Sequence, residues 1–329
     1  MPETGAFRRP ASRTQLVLAF AAVYVLWGST YLAIRFGVET LPPFLMAGLR
    51  HSIAGILLFA WVRFSGTPAP TARQWLPAAA VGTLMLLGGN GLVSWAETRV
   101  PSGLAALIVA SVPIWMTLLH GLEKRARPHG VVLLGLAAGL AGLAFLVAPG
   151  RFAGGSHVDL AGAGALLSAA LFWAIGSLYA RRAKLPSSTL LATSMEMLTG
   201  GAALLLTSGL VREWRGFSFA DVSTRSWLAL AYLIVAGSLV GFTAYIFLLG
   251  ATTPARVGTY AYVNPIVAVF FGWTFASEIV TARMVIAALA ILGAVAVIIR
   301  YGGNAARKSV AREAAPEPIP EPRRAGRSS

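Results

Sequence analysis

Two charged residues lie within long apolar stretches of this sequence, and their side chains are candidates for chemistry inside a membrane. Arg50 interrupts the stretch 43–64, and Glu196 interrupts the stretch 189–210. A charge at the centre of a bilayer costs about 2.5–3.5 kcal/mol on insertion scales, so it normally has a partner or a wet cavity. Two interpretations are open. Either these residues form a gate or a proton or substrate site at which Glu196 titrates, or they form a structural ion pair that joins two halves of the molecule.

A polar stripe occupies the end of a third apolar stretch, 75–95. Asn90, Ser94 and Glu97 are spaced i, i+4 and i+7, so a helix places them on one face. In lipid, such a face must point toward the interior of the protein. The stripe either lines a pathway for a solute near its outer mouth, or Asn90 hydrogen-bonds a neighbouring helix.

Aromatic residues cluster toward the predicted centre of the membrane. Rings at that depth can stack on a solute or hold a cation, whereas Trp and Tyr near helix ends form an interfacial belt. We expect Trp27 and Trp173 to line a pathway, and Trp95 and Trp115 to fit a belt. The candidate pathway residues are Trp27, Tyr31, Asn90, Ser94, Glu97, Ser111, Trp173, Tyr179, Tyr245, Tyr260, Tyr262 and Asn264.

Two prolines lie at matching places in separate apolar stretches. Pro113 falls in 101–120 and Pro265 in 255–276. A proline frees a carbonyl one turn earlier in the helix, which permits bending and exposes polar backbone. The pair predicts breaks in two helices, acting either as hinges or as static kinks. Gly135 and Gly139 permit close helix contact, within one molecule or in a homodimer.

Several kinds of site are missing from the sequence. There are no cysteines, which excludes disulfides and thiolate catalysis, and the four histidines lack the spacing of metal ligands. The run Gly88–Gly91 lies within an apolar stretch and follows no strand, so it is no dinucleotide site. No metal, no cofactor and no catalytic residues are predicted. The net charge of +15 comes mostly from residues between apolar runs, where it suits anionic lipid; nucleic acid is not an expected partner.

The elements that must position these residues are membrane-spanning helices. Of 329 residues, 57% are hydrophobic and 12% charged, against about 25% charged in soluble domains. A spanning helix needs about 20 mostly apolar residues. We therefore predict an all-α polytopic membrane protein with ten transmembrane helices, at 16–36, 43–64, 75–95, 101–120, 130–148, 158–180, 189–210, 226–249, 255–276 and 282–300.

The distribution of Lys and Arg predicts the orientation. These residues are more numerous in the tails and loops on the N-terminal side of the membrane, which favours both termini in the cytoplasm. Residues 1–15 then form a cytoplasmic tail. Residues 301–329 form a second tail, basic and predicted to be disordered, especially over the Pro- and charge-rich stretch 315–324.

The chain also repeats itself at an offset of roughly 150 residues. Gly28–Ser29 parallels Gly176–Ser177, Trp75 parallels Trp227, Arg50 parallels Glu196, and Pro113 parallels Pro265, all in the same order. The halves are 16–149 and 158–300, with five helices each. Because five is odd, the second half is inverted in the membrane relative to the first, an arrangement typical of secondary transporters.

Four motifs, in their order along the chain, resemble those of the EamA family of the drug/metabolite transporter superfamily. The resemblance is strongest to the YedA-type members of that family. The four motifs are Trp27–Tyr31, Gly89–Gly91, Pro101–Gly103 and Tyr260–Pro265. Many members have Asn-Phe after Trp-Gly-Ser, where this chain has Thr30 and Tyr31. The resemblance covers roughly 16–300. It implies two tandem EamA repeats in a ten-helix carrier of the inner membrane, usually an exporter of small metabolites or drugs.

These observations together favour a secondary transporter in the bacterial inner membrane. It would export small metabolites, amino acids or drugs across the cytoplasmic membrane by alternating access, with the solute and the lipid bilayer as its partners. A weaker hypothesis couples transport to protons through Glu196 and Glu97. The alternatives are an intramembrane enzyme acting on lipid-linked substrates, for which paired acids or a histidine cluster are not evident, and a channel or scramblase.

Overall fold

The fold is known from a computed structural model that describes residues 12–124, 130–147, 159–252, 257 and 259–313. Within these residues the chain is helical and has no strand. Its helices are α1 (Arg13–Gly37), α2 (Pro43–Phe64), α3 (Ala72–Ala96), α4 (Ser102–Val109 and Val112–Lys124), α5 (Gly130–Val147), α6 (Leu160–Ala180), α7 (Thr189–Leu210), α8 (Thr224–Tyr232, Leu233–Val240 and Gly241–Ala251), α9 (Tyr260–Ala276) and α10 (Ala282–Glu313).

The predicted all-α fold with ten apolar helices is confirmed. Eight of the described helices are long and apolar enough to cross a bilayer. The other two apolar helices are shorter over their described apolar parts, Tyr260–Ala276 and Ala282–Ile298. The helices begin where the sequence supplies caps. Ser12 and Gln15 form a capping box before α1, Asp159 accepts from the amide of Gly162 before α6, and Pro43 opens α2.

Two helices contain a segment of wider, π-type turns that the sequence did not predict. In α3 this segment is Thr83–Gly91, and in α8 it is Leu233–Val240. Each follows one of the two tryptophans that are matched between the repeats, Trp75 in α3 or Trp227 in α8. A π segment carries i→i+5 hydrogen bonds and turns the residues beyond it relative to those before, and such segments are frequent at functional sites. Their matched positions are a structural counterpart of the sequence repeat.

The centre of the molecule is an antiparallel contact between α2 and α7. A Cβ on Gly55 would lie 2.9 Å from the amide nitrogen of Leu198, and one on Gly201 would lie 2.7 Å from the amide nitrogen of Ser52. Gly55 and Gly201 occupy equivalent positions in the two repeats, and so do Ser52 and Leu198. Each contact is therefore the counterpart of the other. The pseudo-twofold axis therefore passes through this contact and relates two inverted five-helix halves, as predicted.

The prolines behave differently from each other. Helix α4 is interrupted at Ala110 and Ser111, and Pro113 lies in the first turn of its second piece, so the break is as predicted. Pro265 lies inside α9, which continues without interruption from Tyr260 to Ala276, so the predicted break there is absent. Pro265 is the sixth residue of α9 and removes a single i→i−4 hydrogen bond, which membrane helices tolerate because neighbouring groups can satisfy the freed carbonyl.

The last helix is longer than predicted. The structure continues α10 to Glu313, so the tail expected to be disordered from 301 begins as helix. The residues beyond 303 are rich in Ala, Arg and Lys, which have high helix propensity, and no proline occurs before Pro316. The stretch 315–324 and most of the predicted N-terminal tail lie outside the described residues.

Candidate functional site

Four aromatic side chains from three helices pack together near the middle of the bundle and are called the aromatic cluster below. Trp27 of α1 lies 5.3 Å from Phe242, 5.1 Å from Tyr245 and 5.3 Å from Tyr260, measured between ring centroids. Tyr245 and Tyr260 are 5.8 Å apart. The predicted pathway residues Trp27, Tyr245 and Tyr260 are thus brought together, and Tyr31 lies within electrostatic reach of Tyr260.

Helix α8 accommodates Trp27 through two glycines. The indole N–H of Trp27 donates to the carbonyl of Gly237 at 3.1 Å. A Cβ on Gly241 would come within 2.5 Å of the indole nitrogen, so only glycine leaves room for the ring. Gly237 lies within the π segment of α8 and Gly241 directly follows it, so Trp27 contacts α8 at its wide turns.

A related tryptophan–glycine contact occurs in the other half with the roles of the halves exchanged. Trp173 of α6 lies on Gly89 of α3, where a Cβ would be 2.9 Å from the ring. Gly89 belongs to the π segment of α3, and Gly241 directly follows that of α8. In each case a tryptophan of one half lies against a glycine of the other half, at the wide turns of a helix.

A small cavity lies beside Trp173. Its volume is about 20 Å³, enough for one water molecule. Trp173, Glu196 and Thr193 line it from one side, and Phe242 of the aromatic cluster lines it from the other. Two methionines, Met85 and Met197, complete the wall together with Val81, Gly82 and Leu86. The cavity therefore connects an acidic side chain to the aromatic cluster through Phe242.

Arg50 is buried in a different place. Its Nε donates to the hydroxyl of Ser238 at 3.0 Å, and its guanidinium faces Gly237 of the π segment. His51, for which sequence analysis predicted no role, is fully buried beside it, and neither ring nitrogen has a hydrogen-bond partner in the described structure.

The structure does not form the ion pair predicted between Arg50 and Glu196. Among the described residues, no salt bridge involves either side chain. The antiparallel register sets Gly48 against Leu205. Arg50 is therefore roughly seven residues from the level of Glu196, or about 10 Å along the axis at 1.5 Å per residue. Equivalent residues of inverted halves lie at opposite depths in the membrane unless they are close to the pseudo-twofold axis. Arg50 and Glu196 are away from that axis, so they lie at different depths.

A third group of polar residues lies at one end of the bundle. There, α1, α3, α7 and α9 end and α2, α4, α8 and α10 begin. This end is called the Glu97 end below. Glu97 is fully buried, and neither carboxylate oxygen has a hydrogen-bond partner among the residues that the structure describes. The carboxylate of Glu278 accepts from the amides of Ser102 at 2.7 Å and Gly103 at 3.0 Å, at the start of α4. Arg35 donates to the backbone carbonyl of Glu97 at 2.6 Å.

Further hydrogen bonds join the two halves at the Glu97 end. The carboxylate of Glu213 accepts from the amides of Phe44 at 3.1 Å and Leu45 at 2.9 Å, which caps α2. The hydroxyl of Thr40 donates to Ser226 at 2.8 Å. Because each of these bonds, like the cap of Glu278 on α4, links one half to the other, this end of the bundle is closed.

The remaining predicted residues are dispersed. Ser111 is buried, donates to the carbonyl of Ile108 at 2.6 Å and accepts from the indole of Trp115. Asn264 is buried, and its side-chain oxygen has no hydrogen-bond partner in the described part of the chain. Tyr262 packs against a separate core cluster, and Tyr179 is exposed at 42%, away from the aromatic cluster. In the polar stripe, Asn90 is half-buried, and Ser94 and Glu97 are buried.

Several residues of these groups were missed by sequence reasoning. Phe242 looked like any other apolar residue of its helix. Glu213 and Glu278 lie in short segments just past α7 and α9, where a charged residue ordinarily faces water, and Arg35 looked like a helix-end anchor. One available signal was that each glutamate follows an apolar span of the second half, within three residues of its end. Within the described residues, no group of three His, Cys, Asp or Glu is placed to hold a metal ion.

Comparisons with known proteins agree with this architecture. The model of the EamA-like transporter family matches residues 14–148 and again 160–300. An uncharacterized inner membrane transporter, YedA of Escherichia coli K12, is 40% identical over 264 residues, which is 79% of this chain and 82% of YedA. A protein of the same strain named a probable amino-acid metabolite efflux pump is 27% identical over 273 residues, 78% of this chain and 85% of its own. One solved structure, titled only as a crystal structure of a protein, superposes with a TM-score of 0.59 at 21% identity, covering 91% of this chain and 99% of the other, and shows the shared fold.

Proposed function

This chain belongs to the EamA-like transporter family, and from that premise we propose that it is a secondary carrier exporting a small organic solute across the cytoplasmic membrane by alternating access. The two halves take turns in opening opposite ends of the bundle. The solute class we propose is amino acids and related small metabolites. The similarity to a protein named as an amino-acid metabolite efflux pump supports that class.

The observation that carries this proposal is the exchange of roles between the two tryptophan contacts. Trp27 rests on Gly241 in one half-to-half contact, and Trp173 rests on Gly89 in its inverted copy. Two such contacts give the molecule two arrangements of similar energy, because each half can open or close one end of the bundle in the way that the other half opens or closes the opposite end. Loosening one contact while tightening the other moves the opening from one end to the other.

The conformation described is closed at the Glu97 end. The caps that Glu213 and Glu278 place on α2 and α4 hold this end together, and the aromatic cluster fills the bundle beneath it. We propose that the solute site forms when the aromatic cluster separates and the cavity beside Glu196 widens to join it. Trp27, Tyr245 and Tyr260 then contact apolar or aromatic parts of the solute, and Glu196 or Arg50 binds its charged group.

The sidedness follows from charge. We propose that both termini lie in the cytoplasm, because the loops and tails on that side carry the excess of Lys and Arg. The Glu97 end then faces away from the cytoplasm. The membrane of residence is the inner membrane, which the name of the YedA relative supports.

The experiment is counterflow with the full-length chain in proteoliposomes. Vesicles loaded with unlabelled amino acids are given trace labelled amino acid outside. A carrier accumulates the label above equilibrium for at least one member of the panel, because the loaded solute drives its exchange. Label that only equilibrates indicates a channel, and no entry for any member of the panel contradicts the proposed solute class.

A pair of variants ties the measured counterflow to the proposed site. Trp27→Ala removes the ring at the centre of the aromatic cluster and should lower counterflow by at least about tenfold, the loss that about 1.4 kcal/mol of binding energy produces. Trp273→Ala is the matched control, since Trp273 lies on the outer surface of α9 with 60% exposure. Equal rates in the two variants would contradict the proposed role of the cluster.

A further inference from the structure

We propose that Glu97 and Glu278 form a proton-binding site, which holds one proton while the Glu97 end is closed and releases it when that end opens. The use of this proton to drive solute movement rests on the proposed carrier function. The site itself rests on the burial and the neighbours of the two carboxylates.

The first argument is the state of Glu97. Its side chain is fully buried, and neither oxygen has a hydrogen-bond partner among the described residues. An isolated ionised carboxylate in an apolar surrounding is far more costly than a neutral acid, so such a group takes up a proton. The hydroxyl of Ser102, also fully buried and also unpartnered, belongs to the same group of residues.

The second argument is the neighbouring carboxylate. Two amide N–H groups at the start of α4 donate to Glu278, an arrangement that suits an anion at a helix N-terminus. Glu278 lies within electrostatic reach of Glu97. Because two carboxylates that interact in a buried site do not ionise together without a large penalty, we infer that one proton serves the pair and resides on the member that lacks donors.

The other charged and titratable groups around Glu97 do not replace this proton. From α1, Arg35 gives its hydrogen bond to the backbone carbonyl of Glu97, and the Tyr31 hydroxyl is within electrostatic reach. Beyond the end of α3, Arg99 pairs with Asp159 before α6 at 3.7 Å on the surface. Glu213 is engaged with the start of α2. Burial and the Glu278 charge raise the pKa of Glu97 well above its ordinary value, and Arg35 opposes them only in part.

The direction of the pH dependence follows. The closed end binds the proton more tightly than an open, hydrated Glu97 does. Raising the pH from the ordinary carboxyl pKa through the raised pKa therefore destabilises the closed conformation relative to the open one. One linked proton changes the ratio of open to closed molecules by at most about tenfold per pH unit within that window.

Infrared spectroscopy tests the site without any solute. The full-length chain in lipid is taken between low and high pH, and the difference spectrum is searched for the C=O stretch of a protonated carboxylic acid. We expect such a band in the unmodified chain, its loss in Glu97→Gln, and its retention in the control Glu196→Gln. A band unchanged in Glu97→Gln overturns the site. Loss of the band on adding Na⁺ at constant pH also overturns it, since Glu97 would then be a cation ligand.

Thiol labelling tests the link to conformation, and the absence of cysteines makes each introduced thiol unique. Leu41→Cys reports on opening, because Leu41 is 2% exposed at the Glu97 end. Ala220→Cys, exposed at the same end, corrects for the ionisation of the thiol. We expect the ratio of the two labelling rates to rise with pH, by up to about tenfold per unit, and to be flat in the Glu97→Gln background. A flat ratio in both backgrounds overturns the linkage.

The outcomes separate this proposal from the proposed function. The infrared band and the labelling ratio need no transported solute, so a failure of counterflow leaves them intact and rejects only the carrier. Conversely, counterflow that is observed together with an unchanged band in Glu97→Gln rejects only the proton site.

Discussion

At the scale of single residues, the structure depends on where side chains are absent as much as on where they are present. Gly82 of α3 lies against α7, where a Cβ would be 2.7 Å from the Thr199 hydroxyl, 2.9 Å from the Gly200 amide and still closer to the carbonyl of Glu196. The backbone that carries the cavity-lining acid thus approaches α3 closely. A polypeptide backbone cannot move away as a flexible side chain can, so this glycine has no tolerated replacement.

The first prediction concerns that approach. Gly82→Ala should destabilise the protein by about 1–3 kcal/mol, the usual cost of adding a methyl group to a packed interior. Gly164→Ala is the control, because a Cβ there meets nothing within 4 Å. It should be neutral or stabilising by up to about 1 kcal/mol, since alanine loses less backbone entropy than glycine in a helix. Thermal unfolding in detergent measures both. Equal destabilisation would contradict the close contact of α3 with α7.

The second prediction concerns Arg50 and Glu196. Because these side chains are separated in depth and have different neighbours, Arg50→Gln and Glu196→Gln should act independently on stability. The double variant should equal the sum of the singles within about 0.5 kcal/mol. Thermal unfolding of the four proteins gives this coupling energy. A value above about 1 kcal/mol would restore the ion pair that the sequence suggested.

At the scale of elements, the two matched π segments and the caps across the halves determine which helices can separate. The π segments turn Gly89 and Gly237 toward the tryptophans of the opposite half. The caps of Glu213 and Glu278 join segments that follow α7 and α9 to the starts of α2 and α4. Each cap supplies charge-assisted hydrogen bonds to helix amides that would otherwise lack partners, so opening this end has a definite energetic cost.

The third prediction tests one of these caps. Glu213→Ala removes two hydrogen bonds to the first turn of α2 and should destabilise the protein by about 1 kcal/mol or more. Glu39→Ala is the matched control, since Glu39 pairs with Arg225 on the surface at 3.3 Å and such pairs contribute little. Thermal unfolding and the labelling of Leu41→Cys should both respond to the first variant only. The reverse order would assign the closure to the surface ion pair.

At the scale of the whole molecule, the closed Glu97 end is one half of the transport cycle that we propose. Phe242 belongs to the aromatic cluster and also lines the cavity beside Glu196, so the two groups are neighbours. In the proposed carrier, a solute reaches these groups from the opposite end while the Glu97 end is closed. The direction of transport that we propose therefore depends on which side of the membrane the Glu97 end faces.

The fourth prediction tests that sidedness. Ala220→Cys is exposed at the Glu97 end, and Lys184→Cys is exposed at the opposite end. If both termini are cytoplasmic, a membrane-impermeant maleimide added to intact spheroplasts labels the first and leaves the second unreacted until the membrane is opened. Labelling of Lys184→Cys alone would reverse the proposed orientation.

The sequence by itself determined the number of helices, their bounds within a few residues except at the end of α10, and the inversion of the halves. Hydropathy over about 20 residues is a local property that the bilayer enforces directly, and an odd number of spans per repeat leaves only an inverted arrangement. Trp27, Tyr245 and Tyr260 could also be nominated, because deep aromatic residues in apolar helices are few.

Only the tertiary structure decided which residues meet. Arg50 and Glu196 are separated because the register of α2 against α7, set by glycines such as Gly55, is a property of both helices together. The π segments were invisible because the choice between i→i+4 and i→i+5 bonds depends on packing against the opposite tryptophan. Glu278 joined Glu97 for the same reason: two helix ends distant in sequence meet only when the bundle closes, and that closure buries the acid.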